Sequence, residues 1–254
     1  MISVREYDSD RFDRSRRIGW IDIDKIHSTR CLVAGAGALG NEVLKCLVLS
    51  GFRDITVVDT DDIVASNLNR CVFFRNSDVK KGTKAEILAE RASELDPDAD
   101  IKFRNMRVQD IDDWSSFDIV IGCLDNISAR LHVNAHACYS GVPYVDGGTG
   151  GMRGKVQVIL PGGPCIRCPM NESHYKVLET RFSCTGNESF FYVPKIAAEI
   201  TTTSAIAAMQ VREALKIASG CKDMCIRNVA YYDGMSGETY VLEVKKDLDC
   251  ENHG

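Results

Sequence analysis

The amino-acid sequence predicts an α/β fold: a Rossmann-like, mostly parallel sheet with helices on both faces. Three observations predict it. Short apolar runs alternate with amphipathic stretches between residues 31 and 148. The first run opens directly onto a glycine loop, GAGALG, at residues 35–40. The second run closes on an acid, Asp59, 19 residues after Gly40.

The elements follow in order. CLVAG (31–35) reads as a buried strand, and LGNEVLKCLVLS (39–50) as a helix with Leu39, Val43, Leu44, Leu47 and Val48 on one face. DITVVD (54–59) is the next strand. TKAEILAERASEL (83–95) is an amphipathic helix that stops at the turn signal DPDAD. IKFRNMRV (101–108) and FDIVIGC (117–123) are strands, ISARLHVNAHACYSG (127–141) is a helix closed by Gly141, and VPYVDGG (142–148) is the strand after it. This β-α-β alternation calls for parallel pairing. The second half changes character. GKVQVILPGG (154–163) is a strand ending in a turn, and residues 165–195 carry weak periodicity over a length that usually signals function. TTTSAIAAMQVREALKIASG (201–220) is a helix with a Thr-rich start and a terminal glycine. NVAYYDGMSGETYVLEVK (228–245) reads as a hairpin, so antiparallel strands extend the sheet.

Composition bounds the class. The 254 residues suffice for one α/β domain with a full core. A net charge of −5 argues against a nucleic-acid partner, which usually meets a basic face. The sequence lacks a long apolar run that would span a membrane, and its charged N-terminal stretch lacks the apolar region of a secretory signal. The 11 cysteines are scattered, which points to a reducing, cytoplasmic setting with some of them committed to metal or catalysis.

The glycine loop follows a strand and opens a helix, so backbone N–H groups and a helix N-terminus can meet a phosphate. Gly35, Gly37, Ala38 and Gly40 are the expected contacts, with Asp59 on a ribose. This motif alone suits NAD as well as ATP. The residues after Asp59 favour ATP. Asp61 is followed by the polar cluster Ser66-Asn67-Leu68-Asn69-Arg70, and Lys84 comes 14 positions after Arg70. An Arg and a Lys neutralise a triphosphate. In CLDN (123–126), Asp125 and Asn126 fall just past a strand, where Asp125 can help hold Mg²⁺.

VVDTDDIVASNLNR, with GAGALG before it and Lys84 and LDN after it, resembles the ubiquitin-activating enzyme (E1-like) superfamily, which includes the bacterial MoeB and ThiF proteins. The resemblance runs from about residue 11 to the end of the sequence. It implies adenylation of the C-terminal glycine of a ubiquitin-like protein ending in Gly-Gly, with Mg-ATP as co-substrate. It implies that Asn67, Arg70 and Lys84 contact the phosphates and that Asp125 binds Mg²⁺ or orients the triphosphate. RFDRSRR (11–17) resembles the family's N-terminal arginine segment, which reaches the ATP site of a partner subunit; Arg14 is the first candidate and Arg11 the second. A chain with both parts is expected to form a homodimer.

CIRC (165–168) and the terminal Cys250-Glu-Asn-His253 give a C-x-x-C and a C-x-x-H, the knuckle spacing of a structural Zn²⁺ site with ligands Cys165, Cys168, Cys250 and His253. The resembling enzymes often have four cysteines here, so His253 is a departure. They also carry a crossover loop at about 165–195, and Cys184, in RFSCTGNESFF, is the candidate acyl-accepting nucleophile, with Arg181 and Lys195 near it in sequence. Cys71 is the runner-up, while Cys31, Cys46 and Cys138 fall in apolar patterns that suit a core.

The expected organisation is one adenylation domain over 1–254: an arginine segment (1–28), a nucleotide-binding core (29–150), the crossover loop, and a zinc-tethered part (196–254). The leading functional reading is activation of a ubiquitin-like modifier, with a downstream conjugating enzyme as partner. Activation of a sulfur carrier for molybdopterin, thiamine or tRNA thiolation, with a sulfur donor as partner, is the alternative. An NAD-dependent oxidoreductase is the rival from another class, and it leaves Arg70, Lys84 and the terminal C-x-x-H without a role.

Overall fold

The computed structural model describes residues 10–170, 197–226 and 229–253. One eight-stranded sheet runs through it in the order β3-β2-β1-β4-β5-β6-β7-β8. The first five strands are β1 (Arg30–Ala34), β2 (Asp54–Val58), β3 (Asp100–Arg104), β4 (Ile119–Gly122) and β5 (Tyr144–Gly150), and they pair in parallel. β6 (Arg153–Ile159), β7 (Val229–Asp233) and β8 (Glu238–Leu242) add antiparallel strands beyond β5. The α/β class and the antiparallel extension are therefore as the sequence predicts.

Alternation along β1 shows how two faces are built. Cys31 and Val33 face a core containing Val43, Leu47, Leu88, Ile206 and Val211, while Leu32 and Ala34 face a second core containing Trp114, Val133 and Ala137. The first face is covered by α2 (Ile23–Ser28), α3 (Ala38–Ser50), α4 (Lys84–Ser93) and α6 (Ile200–Ala218). The second is covered by α5 (Ile127–Ser140) and short 3-10 turns at Val108–Asp110 and Trp114–Ser116. A short α1 (Asp13–Arg16) precedes them. Helices α3 and α5 both end on a left-handed glycine, Gly51 at φ 101° and Gly141 at φ 67°, the conformation in which glycine avoids the Cβ penalty.

Two predicted strands are shorter than expected. The run 101–108 pairs only as far as Arg104, because β3 is the sheet edge and Val108 turns inward on a 3-10 turn into the second core. The run 154–163 leaves the sheet after Ile159, where the Gly163 N–H bonds to the Leu160 carbonyl and Gly162 takes φ 80°.

Candidate functional site

β1 lies between β2 and β4, so the chain leaves the sheet in opposite directions on its two sides. The carboxyl ends of β1, β2 and β4 are in register: Ala34 pairs with Val58 on one side and Gly122 on the other. Open α/β sheets bind ligands in the crevice at such a switch point. The loops beginning at Gly35, Asp59 and Cys123 all emerge there.

Each glycine of the first loop has a different reason to be there. Gly35 sits at φ 103°, and a Cβ on it would lie 2.6 Å from the Cys123 carbonyl oxygen. A Cβ on Gly40 would lie 2.1 Å from the Gly35 carbonyl oxygen, so α3 rests directly on the loop. Gly37 is the N-cap of α3, with no side-chain cap, and a Cβ there would meet nothing within 4 Å. Two glycines therefore serve packing, and the third faces open space at a bare helix N-terminus that begins with Ala38, suited to an anion.

Asp59 braces this loop. One carboxylate oxygen accepts the Ala36 N–H at 2.7 Å and the other accepts the Asp61 N–H at 2.8 Å. Burial raises the Asp59 pKa, against the lowering effect of those two donors and of Lys84. The Lys84 ammonium, at the start of α4, reaches the Asp61 carboxylate at 2.6 Å, and its backbone N–H bonds to the Asp61 carbonyl at 2.8 Å. Lys84 is thus held beside Asp59 and Asp61. Asn67 is buried and shapes its turn, its side-chain oxygen accepting the Val64 N–H at 3.0 Å. The Arg70 guanidinium folds back on the Ser66 carbonyl and on the Asn69 side chain, the latter at 3.0 Å. Asp125 is exposed beyond β4. Asn126 caps α5, its side-chain oxygen accepting the Ala129 N–H at 2.8 Å, which gives it a structural task at this position.

Sequence reasoning missed three polar residues that hold these parts in place. Buried Asn41 donates to the carbonyls of Ala36 and Gly37 at 3.1 and 3.0 Å and accepts the Phe73 N–H at 3.1 Å, so it ties the glycine loop to the segment after Arg70. Arg130, on the first turn of α5, pairs with fully buried Asp146 on β5, and Tyr144 donates to the same carboxylate at 2.9 Å. Buried Gln210 of α6 donates to the Gly122 carbonyl at 2.9 Å and the Val145 carbonyl at 3.1 Å. Asn41 had a local signal, a polar residue directly after Gly40 at the start of an apolar helix. Arg130 and Gln210 had none, because their partners are distant in sequence.

A second cluster lies beyond the end of β6. The ligand atoms of Cys165, Cys168, Cys250 and His253 all lie within 4.8 Å of one another. The Cys165 sulfur is 3.8 Å from those of both Cys168 and Cys250, and the Cys168 sulfur is 3.1 Å from His253 Nε2. Tetrahedral zinc with Zn–S bonds of about 2.3 Å sets sulfurs about 3.8 Å apart, so the sulfur spacing fits a metal. The Ile166 N–H donates to Asn134 of α5 at 3.0 Å, which seats the first knuckle on that helix. The four residues predicted as ligands converge, and the cluster can hold a metal.

A model of the ThiF family matches residues 12–252. The chain belongs to the ThiF family. That places it in the E1-like superfamily that also includes MoeB. The sequence is 31% identical over 293 aligned residues to the NEDD8-activating enzyme E1 catalytic subunit of Arabidopsis thaliana, covering 87% of this chain and 64% of that one. It is 39% identical over 156 residues to SUMO-activating enzyme subunit 2 of Dictyostelium discoideum, covering 59% of this chain and 23% of that one. The chain thus spans between 23% and 64% of the length of these relatives. Among solved structures, MccB of E. coli with succinimide superposes with a TM-score of 0.80 at 18% identity, over 98% of this chain and 75% of that one. MccB with ATP gives 0.77 at 19% identity, over 98% and 76%. At those identities the likeness is one of fold.

In this ThiF-family chain the arginine segment lies far from its own glycine loop. The Phe12 ring packs beside Gly51, where an added Cβ would meet it at 3.2 Å. Gly51 caps the far end of α3, whose 13 residues span about 20 Å at 1.5 Å per residue. Arg11 is committed to its own chain, with Asp96 at 2.9 Å and the Leu95 carbonyl at 2.9 Å. Arg14 is exposed on α1. Arg16 and Arg17 pair with Asp10 and Asp13, as suits a surface helix.

Cys184, Arg181 and Lys195 lie outside the described residues. Cys71, the other candidate nucleophile, is buried, and burial pushes its thiol up to about 11 despite Arg70 and Lys84 nearby. A thiol so placed is protonated at neutral pH and unsuited to acyl transfer. Among the described residues no helix is long and apolar enough to cross a membrane.

Proposed function

We propose that this protein uses Mg-ATP to adenylate the C-terminal carboxylate of a ubiquitin-like protein ending in Gly-Gly, and then takes the acyl group on Cys184 as a thioester. The observation that carries the reading is the switch-point crevice, where the open N-terminus of α3 at Gly37 stands beside Asp59 and Lys84, and the loop carrying exposed Asp125 leaves the adjacent end of β4. In this account Asp59 accepts from the ribose hydroxyls while bracing the loop. The N–H groups at Gly37 and Ala38 face phosphate oxygens. Attack by a carboxylate on the α-phosphate brings two anions together, so positive charge must be fixed in place beforehand. Lys84 supplies it, exchanging Asp61 for phosphate, and Arg70 and Asn67 flank the same space. Asp125 holds Mg²⁺, whose hard charge suits a carboxylate and phosphate oxygens.

Arg14 completes the reaction from a second copy of the chain. Its place at the opposite end of α3 from the glycine loop supports action in trans within a homodimer. Zinc on Cys165, Cys168, Cys250 and His253 supplies a structural clamp between two distant segments, and the sulfur-rich set has no open position for catalysis.

A non-reducing gel tests the sequence of steps. The protein, Mg-ATP and a Gly-Gly-ending ubiquitin-like protein should give a reductant-sensitive adduct that Cys184→Ser lacks. Pyrophosphate release without an adduct would overturn the thioester step and favour sulfur-carrier activation.

A further inference from the structure

We infer that Arg91 is a positioning residue for the nucleotide crevice: it fixes the segment that carries Arg70 against the helix that carries Lys84. The inference rests on the reading that Arg70 and Lys84 meet the phosphates. Arg91 lies on α4, seven residues after Lys84. Seven residues make nearly two full turns, so both side chains leave the same face of α4, about 10 Å apart along its axis.

That face grips two parts of one loop. Lys84 holds its start, with its backbone N–H on the Asp61 carbonyl at 2.8 Å and its ammonium on the Asp61 carboxylate at 2.6 Å. Arg91 holds its later part. The Arg91 guanidinium donates to both carboxylate oxygens of Asp78, at 2.5 and 2.6 Å, and to the Phe73 carbonyl. Asp78 in turn accepts the Arg75 N–H at 2.6 Å, which closes the 3-10 turn Asn76–Asp78. The Asp78 side chain is only 7% exposed, and Arg91 holds its carboxyl below the usual carboxylate range. The Phe73 peptide is therefore pinned from two sides, its N–H on Asn41 of α3 and its carbonyl on Arg91 of α4.

Arg70 depends on that pinning. Its guanidinium rests on uncharged groups of its own turn, the Ser66 carbonyl and the Asn69 side chain. A phosphate outcompetes such partners, so the reach of the guanidinium is set by where its backbone is held. The N–H groups of Arg70 and Cys71 bond to the Asn67 carbonyl at 3.1 and 3.0 Å, and the Phe74 N–H bonds to the Cys71 carbonyl at 3.2 Å. Consecutive turns thus carry the chain from Arg70 to the clamped Phe73 peptide. When Lys84 exchanges Asp61 for phosphate, Arg91 keeps its grip, because Asp78 and the Phe73 carbonyl take no part in that exchange. Lysine at position 91 would keep the charge and lose the fork that serves three acceptors at once.

A double-mutant cycle on the full chain tests this, with Mg-ATP as the titrant in a calorimeter. Arg70→Ala should weaken Mg-ATP binding about thirtyfold, the loss of a charge-assisted contact. Arg91→Lys should weaken it about tenfold by misplacing Arg70. The double variant should match Arg70→Ala within about twofold, because the placement of an absent side chain no longer matters. Effects that multiply to about three-hundredfold would mark Arg91 as a structural residue acting independently of Arg70 and overturn the inference. Wild-type affinity in Arg91→Lys would overturn it as well. Wild-type affinity in Arg70→Ala is a different failure: it removes Arg70 from the phosphate site and the inference falls with that reading. If Arg91→Lys does not fold, Asp78→Asn, which keeps an acceptor for the Arg75 N–H, takes its place in the same cycle with the same outcomes.

Discussion

Replacing the three loop glycines with alanine one at a time should separate packing from ligand approach. At Gly40 the new methyl would sit 2.1 Å from the Gly35 carbonyl oxygen, so α3 or the loop must move by more than an ångström. Overpacking of that kind costs about 1–3 kcal/mol, which for a chain of this size lowers Tm by roughly 2–12 °C. Gly35→Ala adds a similar clash, 2.6 Å from the Cys123 carbonyl, to an unfavourable φ of 103°. Gly37→Ala is different. Its φ of −72° suits any residue, and nothing lies within 4 Å of the new methyl. Alanine is a poorer N-cap than glycine by several tenths of a kcal/mol or more, and it recovers about 0.4–1 kcal/mol by restricting the unfolded chain. Its Tm should therefore stay within about 2 °C of wild type. If phosphates approach the backbone at Gly37, the methyl occupies their space, and ATP should bind about thirtyfold more weakly, the equivalent of about 2 kcal/mol. Calorimetric titration with ATP and a thermal melt on the same three variants make the comparison. Wild-type ATP affinity in Gly37→Ala, with Tm unchanged, would refute the placement of phosphates at this helix N-terminus.

Other outcomes follow from the same geometry. Lys84→Ala or Asp125→Ala should abolish ATP–pyrophosphate exchange, and the Lys84–Asp61 pair, whose carboxylate lies open to solvent, should contribute no more than about 1 kcal/mol to stability, so the melts should stay near wild type. Mixing Arg14→Ala with Lys84→Ala should restore exchange to about a quarter of wild type, because random pairing makes half the dimers mixed and each has one intact site; no recovery would argue against action in trans. Removing zinc opens a cross-link between Cys165 and Cys250 whose loop-closure entropy is about 4–5 kcal/mol, so chelation should lower Tm by roughly 10 °C or more. Glu199 caps α6 by accepting from Thr201 and Thr202, first through the Thr201 hydroxyl, and these bonds hold its pKa at about 2 against an ordinary 4.5. Its stabilising effect is therefore present above the unfolded value and lost as pH falls toward about 2, and Glu199→Gln should flatten acid unfolding in that window, followed by circular dichroism.

The parts legible in the sequence were those written locally. The β-α-β alternation, the glycine loop and Asp59 each depend on short-range patterns, and they mark the switch point correctly. The Cys/His cluster was legible because C-x-x-C and C-x-x-H each announce themselves within four residues, even though Cys168 and Cys250 are far apart in the chain. The polar scaffold around the crevice was not. Arg130 reads as a surface arginine until β5 places Asp146 beneath it, and Gln210 gains its meaning only when α6 crosses Gly122 of β4 and Val145 of β5. The early end of β3 depends on its being the sheet edge, which follows from strand order and not from any feature of residues 101–108. Cys71 looked reactive beside Arg70, and burial decides otherwise.

The most direct measurement is ATP–pyrophosphate exchange with a ubiquitin-like protein ending in Gly-Gly and with the same protein lacking its terminal glycine. The account predicts Mg²⁺-dependent exchange with the first and none with the second. Exchange that ignores the terminal glycine, or no exchange by a protein that binds NAD in place of ATP, would contradict it.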